Sequence, residues 1–307
     1  MTVGEGVTID VTGLRMRYGS TDVLQEVGLR AHRGEVLVLL GPNGAGKTTT
    51  IEILEGFRKR SAGTVSVLGV DPAEGDEAWR ARVGVVLQSW RDHGKWRVRE
   101  LLDHLGSFYA PYADSTALRP WATGELLALV GLTEQAEARI NTLSGGRRRR
   151  MDVAIGVVGR PEVLFLDEPT AGLDPQARRE FHDLVHRLAD EHATTVLLTT
   201  HDMDEADKLA DRILILAGGR IIADGTADDL ARRIAGEAEV RWTRDGRRFV
   251  HTTVESTKFV HDLFEQHGDG IAELEVRRAS LEDTYMTLVR RHDAGQTDIR
   301  TLEEVSR

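Results

Sequence analysis

The 307-residue chain contains no cysteine. That excludes disulfides, thiolate nucleophiles and cysteine-ligated zinc, and it fits a reducing compartment. Positive charge is also in deficit: 40 Lys and Arg face 50 Asp and Glu, a formal net charge of -10. Such a balance repels polyphosphate backbones and acidic bilayers unless basic residues cluster, which argues against a general nucleic-acid binder. No apolar run approaches the ~20 residues that a membrane-spanning helix needs, and the N-terminus lacks a basic stretch followed by an apolar one. Neither a leader nor direct membrane insertion is expected, so work at a membrane would require a partner that spans it. There is no internal repeat. The length supports one principal domain with an appendage.

What is present alternates between strand and helix patterns. Residues 7–40 turn back and forth like a small antiparallel sheet and close on "EVLVLL", a buried-strand run. Three more such runs follow, "VGVVL" (83–87), "VLFL" (163–166) and "TVLLT" (195–199). Between them lie helical spacings, among them Leu101, Leu105 and Phe108, and Met151, Ala154, Ile155 and Val158. This order predicts an α/β core with a mostly parallel sheet. Residues from about 90 to 140 are mainly helical and read as an inserted lobe. "GGRIIADG" (218–225) reads as a hairpin. Beyond it, residues 239–291 predict two strands, a helix near Phe259 to Gln266, a strand "IAELEVRR" and a last helix opened by Ser280 with Asp283 three residues on, a capping box with aspartate in place of the usual Glu or Gln. Residues 292–307 are polar and expected to fray.

The stretch "GPNGAGKTT" (41–49) fits G-x-x-x-x-G-K-[ST] and directly follows a predicted strand. In this pattern Gly41, Pro42, Asn43, Gly44, Ala45 and Gly46 form a loop whose backbone N–H groups converge on phosphate oxygens at a helix N-terminus. Lys47 would bridge the β- and γ-phosphates, and Thr48, followed by Thr49, would hold Mg²⁺ through its hydroxyl. Only five lysines occur in the chain, so a compact point charge at 47 stands out against a background of arginine. Ligands in open α/β sheets sit beyond the carboxyl ends of the strands. Each apolar run here leads into a residue such a site can use: Gly41, Gln88, Asp167 with Glu168, and Thr200 with His201. Asp167 fits the acid that positions Mg²⁺, and Glu168 the base for an attacking water. Gln88 can offer an amide oxygen to metal or water, and His201 can orient that water at the γ-phosphate.

"LSGGRRRR" (143–150) poses a separate question. At about 100° per residue, Arg147 to Arg150 spread around a whole helical turn and cannot form one basic stripe. Ser144, Gly145 and Gly146 ahead of them open a helix, where a hydroxyl and bare N–H groups make a second anion seat.

Taken together, these motifs resemble the nucleotide-binding subunit of an ABC transporter. The first 225 or so residues carry that family's ordered set: "GPNGAGKT" as Walker A, Gln88 as the Q-loop, "LSGG" as the signature, "VLFLDE" as Walker B, "AGLD" with Asp174 as the D-loop, and His201 as the switch histidine. The resemblance implies a P-loop NTPase with a RecA-like parallel core, an antiparallel β-subdomain at the N-terminus, a helical subdomain at about 90–160, an α+β appendage at 226–291 and a polar tail at 292–307. It implies MgATP hydrolysis, with Tyr18 stacking on adenine. It also implies that two copies pair head to tail, the signature of one closing over the nucleotide of the other. Arg147 stands where most relatives have Gln, which alters charge but leaves Ser144 to Gly146 intact. With no catalytic position missing, two equivalent sites in a homodimer are expected.

One cassette, no heptad arm and no cysteine set aside the translation, chromosome and excision-repair branches of the family. "AELEVRRASLEDTYMTLV" resembles the ending of ATPase subunits of type-2 exporters, including daunorubicin-type resistance pumps. The expected role is therefore to power export of a drug-like or lipid-like amphiphile through a separate permease, from the cytoplasmic face of the membrane. Polysaccharide, ion or import traffic, or a soluble ATPase that remodels nucleic acid or a protein complex, stays open. Residues 88–105, with Trp90 and Trp96, are expected to face the permease. His182 and His186 stand at i, i+4 without a third ligand and are expected on an exposed helix face.

Overall fold

A computed structural model of the chain describes residues 6–86, 93–113, 118–230, 238–244, 246–253, 255–277 and 285. In chain order its first elements are β1 (Val7–Tyr18), β2 (Thr21–His32), β3 (Val36–Leu40), α1 (Lys47–Leu54), β4 (Ala62–Val67), α2 (Glu77–Arg80) and β5 (Val83–Val86). Next come α3 (Val98–Ser107), α4 (Thr123–Leu129), α5 (Gly145–Val157), β6 (Val163–Asp167), α6 (Pro175–Asp190), β7 (Thr195–Thr200) and α7 (Met203–Leu209). The last are β8 (Arg212–Ala217), β9 (Arg220–Gly225), β10 (Ala238–Arg244), β11 (Arg247–Thr253), α8 (Ser256–His267) and β12 (Ala272–Arg277).

The main sheet has six strands in the order β5-β6-β7-β3-β8-β9. β5, β6, β7, β3 and β8 pair parallel to their neighbours. All five residues of β3, all five of β6 and all six of β7 are buried, as expected for parallel strands covered on both faces. A fold of this kind is the P-loop NTPase core. β8, with Ile213 to Leu216 fully buried, adds a parallel strand that the sequence reading did not separate from the hairpin after it. The antiparallel sheet draws on a strand that the sequence reading did not single out, and β3 joins the parallel sheet as its apolar run predicts. Its order is β2-β1-β4, so its third strand comes from residues 62–67. The reason is burial: β1 and β2 alternate buried and exposed positions, whereas β3 is apolar throughout.

Helices take their faces from spacing and their starts from caps. α3 buries Val98, Leu101 and Leu102, and α6 buries Phe181, His182, Leu184, Val185, Leu188 and Ala189. Asp174 caps α6 by accepting from the N–H groups of Gln176 and Ala177, with Pro175 at the first helical position. The core joins the two sheets: Ile9, Leu14 and Leu29 cluster with Leu37, Leu39, Phe165 and Leu197.

The chain divides into two compact units, residues 1–221 and 222–307. In the second, β10 pairs with β11 and with β12, both antiparallel. Trp242 stacks on Phe249 at 5.5 Å and meets Phe259 of α8 at 5.7 Å. Ser280 and Asp283, proposed from sequence as a helix start, lie outside the described residues.

Phe165, fully buried in the middle of β6, is among the largest buried side chains. Replacing it by Ala should lower the stability of the first unit by ~3–5 kcal/mol, read as a drop in the urea midpoint at unchanged slope.

Candidate functional site

The carboxyl ends of β3, β6 and β7 meet at one edge. The amide of Gly41, just after β3, donates to the Thr200 carbonyl at the end of β7 (3.2 Å), fixing where the glycine loop begins. Gly46 ends that loop at φ +105°, and a Cβ there would lie 2.5 Å from Leu24 Cδ2, so only glycine fits. Pro42, Asn43 and Gly44 are exposed at the tip, and a Cβ on Gly44 would meet nothing within 4 Å, leaving room for a ligand. Ala45 and Lys47 are buried, while Thr48 is exposed and Thr49 half-buried.

Lys47 is 5% exposed. Its Nζ donates to the carbonyls of Gly41 (2.8 Å) and Pro42 (3.1 Å). The same ammonium lies 3.4 Å from Glu168 Oε1, and His201 Nδ1 lies 3.4 Å from that oxygen too. Thr48 Oγ1 donates to Asp167 Oδ2 at 3.0 Å, and Thr199 Oγ1 donates to Asp167 Oδ1 at 2.6 Å. The Glu168 amide in turn donates to the Thr199 side-chain oxygen (3.0 Å) and carbonyl (3.2 Å). Those bonds hold Glu168 at φ +43°, left-handed for a residue with a side chain. Lys47, Thr48, Asp167, Glu168 and His201, five residues chosen from three places in the sequence, therefore occupy one cluster.

The remaining predicted residues are placed as follows. Tyr18 is 39% exposed, with the Arg58 guanidinium 5.1 Å from its ring centre. Asp174 is committed to the cap of α6. Gln88 and Trp90 lie outside the described residues; Trp96 is exposed on a row of rings with His93, His104 and Phe108. Ser144 is the exposed N-cap residue of α5 and makes no side-chain cap bond, so its hydroxyl is available. Gly145 is open, and Gly146 is required by packing, since its Cβ would come within 2.9 Å of Ala177 Cβ on α6. Among the described residues, no hydrogen bond or ion pair joins Ser144, Gly145 or Gly146 to the Lys47 cluster.

A carboxylate held by a threonine hydroxyl, beside a glycine loop that leads into a helix N-terminus and a buried ammonium, is a donor set suited to a nucleotide phosphate and a hard divalent cation. The ABC transporter family profile matches residues 24–171. A daunorubicin resistance ATP-binding protein of Streptomyces coeruleorubidus, DrrA3, is 41% identical over 229 residues, covering 75% of this chain and 71% of that one. The chain belongs to the ABC transporter ATP-binding family. A Nod factor export ATP-binding protein of Ralstonia nicotianae is 40% identical over 74% of this chain and 70% of its own. A linearmycin resistance ATP-binding protein of Bacillus subtilis is 34% identical over 78% and 75%. Among solved structures, an ATP-binding subunit of an ABC transporter aligns with TM-score 0.63 at 27% identity, covering 74% of this chain and 92% of that one. An ABC transporter cassette in its ADP conformation aligns with TM-score 0.64 at 22% identity and shares the fold. The chain is thus an ATP-binding ATPase, and no helix among its described residues is long and apolar enough to cross a membrane.

Around the phosphate loop, this ABC ATPase holds buried polar groups that sequence reasoning missed. Thr199 was read only as part of an apolar strand, yet its hydroxyl orients both Asp167 and Glu168. Glu205 on α7 is 1% exposed and takes hydrogen bonds from the Thr170 hydroxyl at 2.6 Å and from Thr200; burial holds its carboxyl above the usual range. Its signal was its place one helical turn after His201. The expectation of an exposed His182 is corrected: it is 8% exposed on the core face of α6, 3.9 Å from Glu205 Oε1. The apolar stripe of α6 runs through position 182, and burial lowers the pKa of the ring. No group of three or more possible metal ligands occurs among the described residues.

The ABC ATPase also carries a carboxyl out of its ordinary range behind the site. Glu55, half-buried just after α1, is pushed up to about 7 by burial and by the charges of Glu52 and Asp167. The folded chain then keeps a proton that the unfolded chain releases near 4.5, so stability falls as pH rises from about 4.5 to about 7. Glu55→Gln should flatten this slope and stabilise the protein at pH 8 by ~1–2 kcal/mol after allowance for partial exposure. Urea titrations at pH 5 and pH 8 measure it; parallel pH dependence in variant and parent would refute the assignment.

Proposed function

We propose that this ATPase powers export of a small amphiphilic compound through a separate membrane permease, by closing and opening a head-to-tail pair of cassettes. The observation that carries the catalytic part is the convergence of Lys47, Glu168 and His201, with Glu168 Oε1 3.4 Å from both Lys47 Nζ and His201 Nδ1. Glu168 acts as the base toward the attacking water, His201 orients that water and the γ-phosphate, and Lys47 stabilises charge on the phosphate oxygens. Gly41 through Thr49 hold the phosphates, Tyr18 the adenine, and Gln88 reaches the metal or water. Thr48 and Asp167, with Gln88, would hold Mg²⁺, which when bound neutralises charge on the β- and γ-phosphates.

Ser144, Gly145 and Gly146 supply the second anion seat to the nucleotide of a partner copy, and Asp174 lies at the same interface. The exposed Ser144 hydroxyl, which makes no cap bond, supports this reading. The cassette at 1–225, its helical subdomain at 90–160 facing the permease, the appendage at 226–291 and a place on the cytoplasmic face of the membrane complete the reading. Relatives named for daunorubicin and linearmycin resistance support an amphiphilic cargo.

Glu168→Gln should cut ATP turnover by ~10²-fold or more while ATP still binds, and should trap an ATP-dependent dimer. Steady-state hydrolysis together with gel filtration in MgATP checks both. Wild-type turnover in that variant would remove Glu168 from the role.

A further inference from the structure

We propose that Arg149 is a positioning residue that ties the helix bearing Ser144 to the segment bearing Glu168, so that the state of one nucleotide site sets the geometry of the other. This rests on the roles proposed above for Ser144 and Glu168.

The four consecutive arginines have four different fates. Arg147 is exposed. Arg148 pairs with Asp152 at 3.3 Å, and Arg150 pairs with Glu180 at 3.3 Å while donating to the Gly131 carbonyl. Arg149 alone of the four is buried, at 7% exposure. Burying a guanidinium is costly unless its donors are used, so its partners identify its task. Nε donates to the Pro169 carbonyl at 2.5 Å, and Nη1 lies 3.8 Å from Asp152 Oδ2. The charges that face it come from three elements: Asp152 on α5, Asp167 at the end of β6 and Glu205 on α7.

Pro169 follows Glu168 directly, so Arg149 holds the carbonyl of the residue after the one kept at φ +43°. One residue further on, Thr170 donates to Glu205, and at the far end Asp174 caps α6. The segment 168–174 is thus pinned at 169 from α5, at 170 from α7 and at 174 by α6. Proline at 169 stiffens the first pin because its φ is fixed. Ser144 lies five residues before Arg149, about 7.5 Å along the axis of one short helix. A displacement of Ser144 by a nucleotide held on the partner copy therefore moves the donor to Pro169 as a rigid body. In the proposed pair, Ser144 serves the partner's nucleotide and Glu168 its own, and Arg149 hydrogen-bonds the residue after Glu168 from the helix that Ser144 opens.

The test uses the full-length chain with Arg149→Met, which keeps length but removes donor and charge, Arg149→Lys, which restores both, and Glu168→Gln as a reference. Hydrolysis is followed against ATP concentration. For Arg149→Met, kcat should fall by ~10- to 10²-fold, the scale of a small misplacement of a reacting group. The KM for ATP should stay within about twofold and the Hill coefficient should drop to about 1, with Lys recovering part of both kcat and cooperativity. A purely structural arginine would not show that split or that rescue. Should the Met variant fail to fold, Arg149→Gln, a shorter neutral donor, is expected to lose cooperativity in the same way. Wild-type kcat and Hill coefficient in the Met or Gln variant, absence of rescue by Lys, or a non-cooperative parent would each overturn the proposal. If Glu168→Gln also retains turnover, the functional reading itself fails; if it is inactive while the Arg149 variants match the parent, only the role of Arg149 falls.

Discussion

Asp167 is where the first unit is tied together. Its carboxylate ends β6 at 8% exposure, where an ionised acid without partners would be expensive to keep. Thr48 from α1 and Thr199 from β7 supply those partners at 3.0 and 2.6 Å. Three elements distant in sequence are therefore held at one point by the need to satisfy one charge. Because the hydroxyl of Thr199 also receives the Glu168 amide, the same point sets the backbone of the next residue in its left-handed conformation. The strain stored there is local, and the surrounding parallel strands, buried on both faces, are stiff enough to maintain it.

A second layer of buried charge lies behind the first. Glu205, Arg149, Asp152 and His182 are all nearly inaccessible, and they sit on the three helices that surround the segment after Glu168. Such groups add little net stability, because desolvation offsets most of their attraction. Their effect is geometric: Arg149 fixes the direction of the Pro169 carbonyl, and Glu205 that of the Thr170 hydroxyl. Of the arginine run only Arg149 belongs to this layer; Arg148 and Arg150 pair with Asp152 and Glu180, and Arg147 is exposed, so the four do not form one basic stripe.

Much of this was legible from residue order. The glycine loop with Lys47, the acid pair after "VLFL" and the helix start at Ser144 were readable because each is a local pattern: a turn, a strand end, a cap. So was the angular scatter of Arg147 to Arg150, since helical periodicity alone forbids a stripe. The sheet assignments were less readable. The third strand of the antiparallel sheet, β4, was not singled out in sequence, because strand partners are chosen by burial of both faces, a property of the assembled layers. His182 was misjudged for the same reason, as one imidazole on a stripe otherwise made of Phe, Leu and Val can be read either way until the stripe has a neighbour.

Sequence by itself determined the chemistry available to this protein and the elements that carry it, because phosphate loops, caps and strand periodicity depend on neighbours within a few residues. Only tertiary structure decided that the Thr199 hydroxyl orients two acids, that Arg149 rather than its three neighbours is buried against Pro169, and that Glu205 reaches Thr170 from a separate helix. Those pairings span between 20 and 35 positions. Their selection rests on satisfying polar groups in a dry interior, and no local pattern records which partner will be within reach.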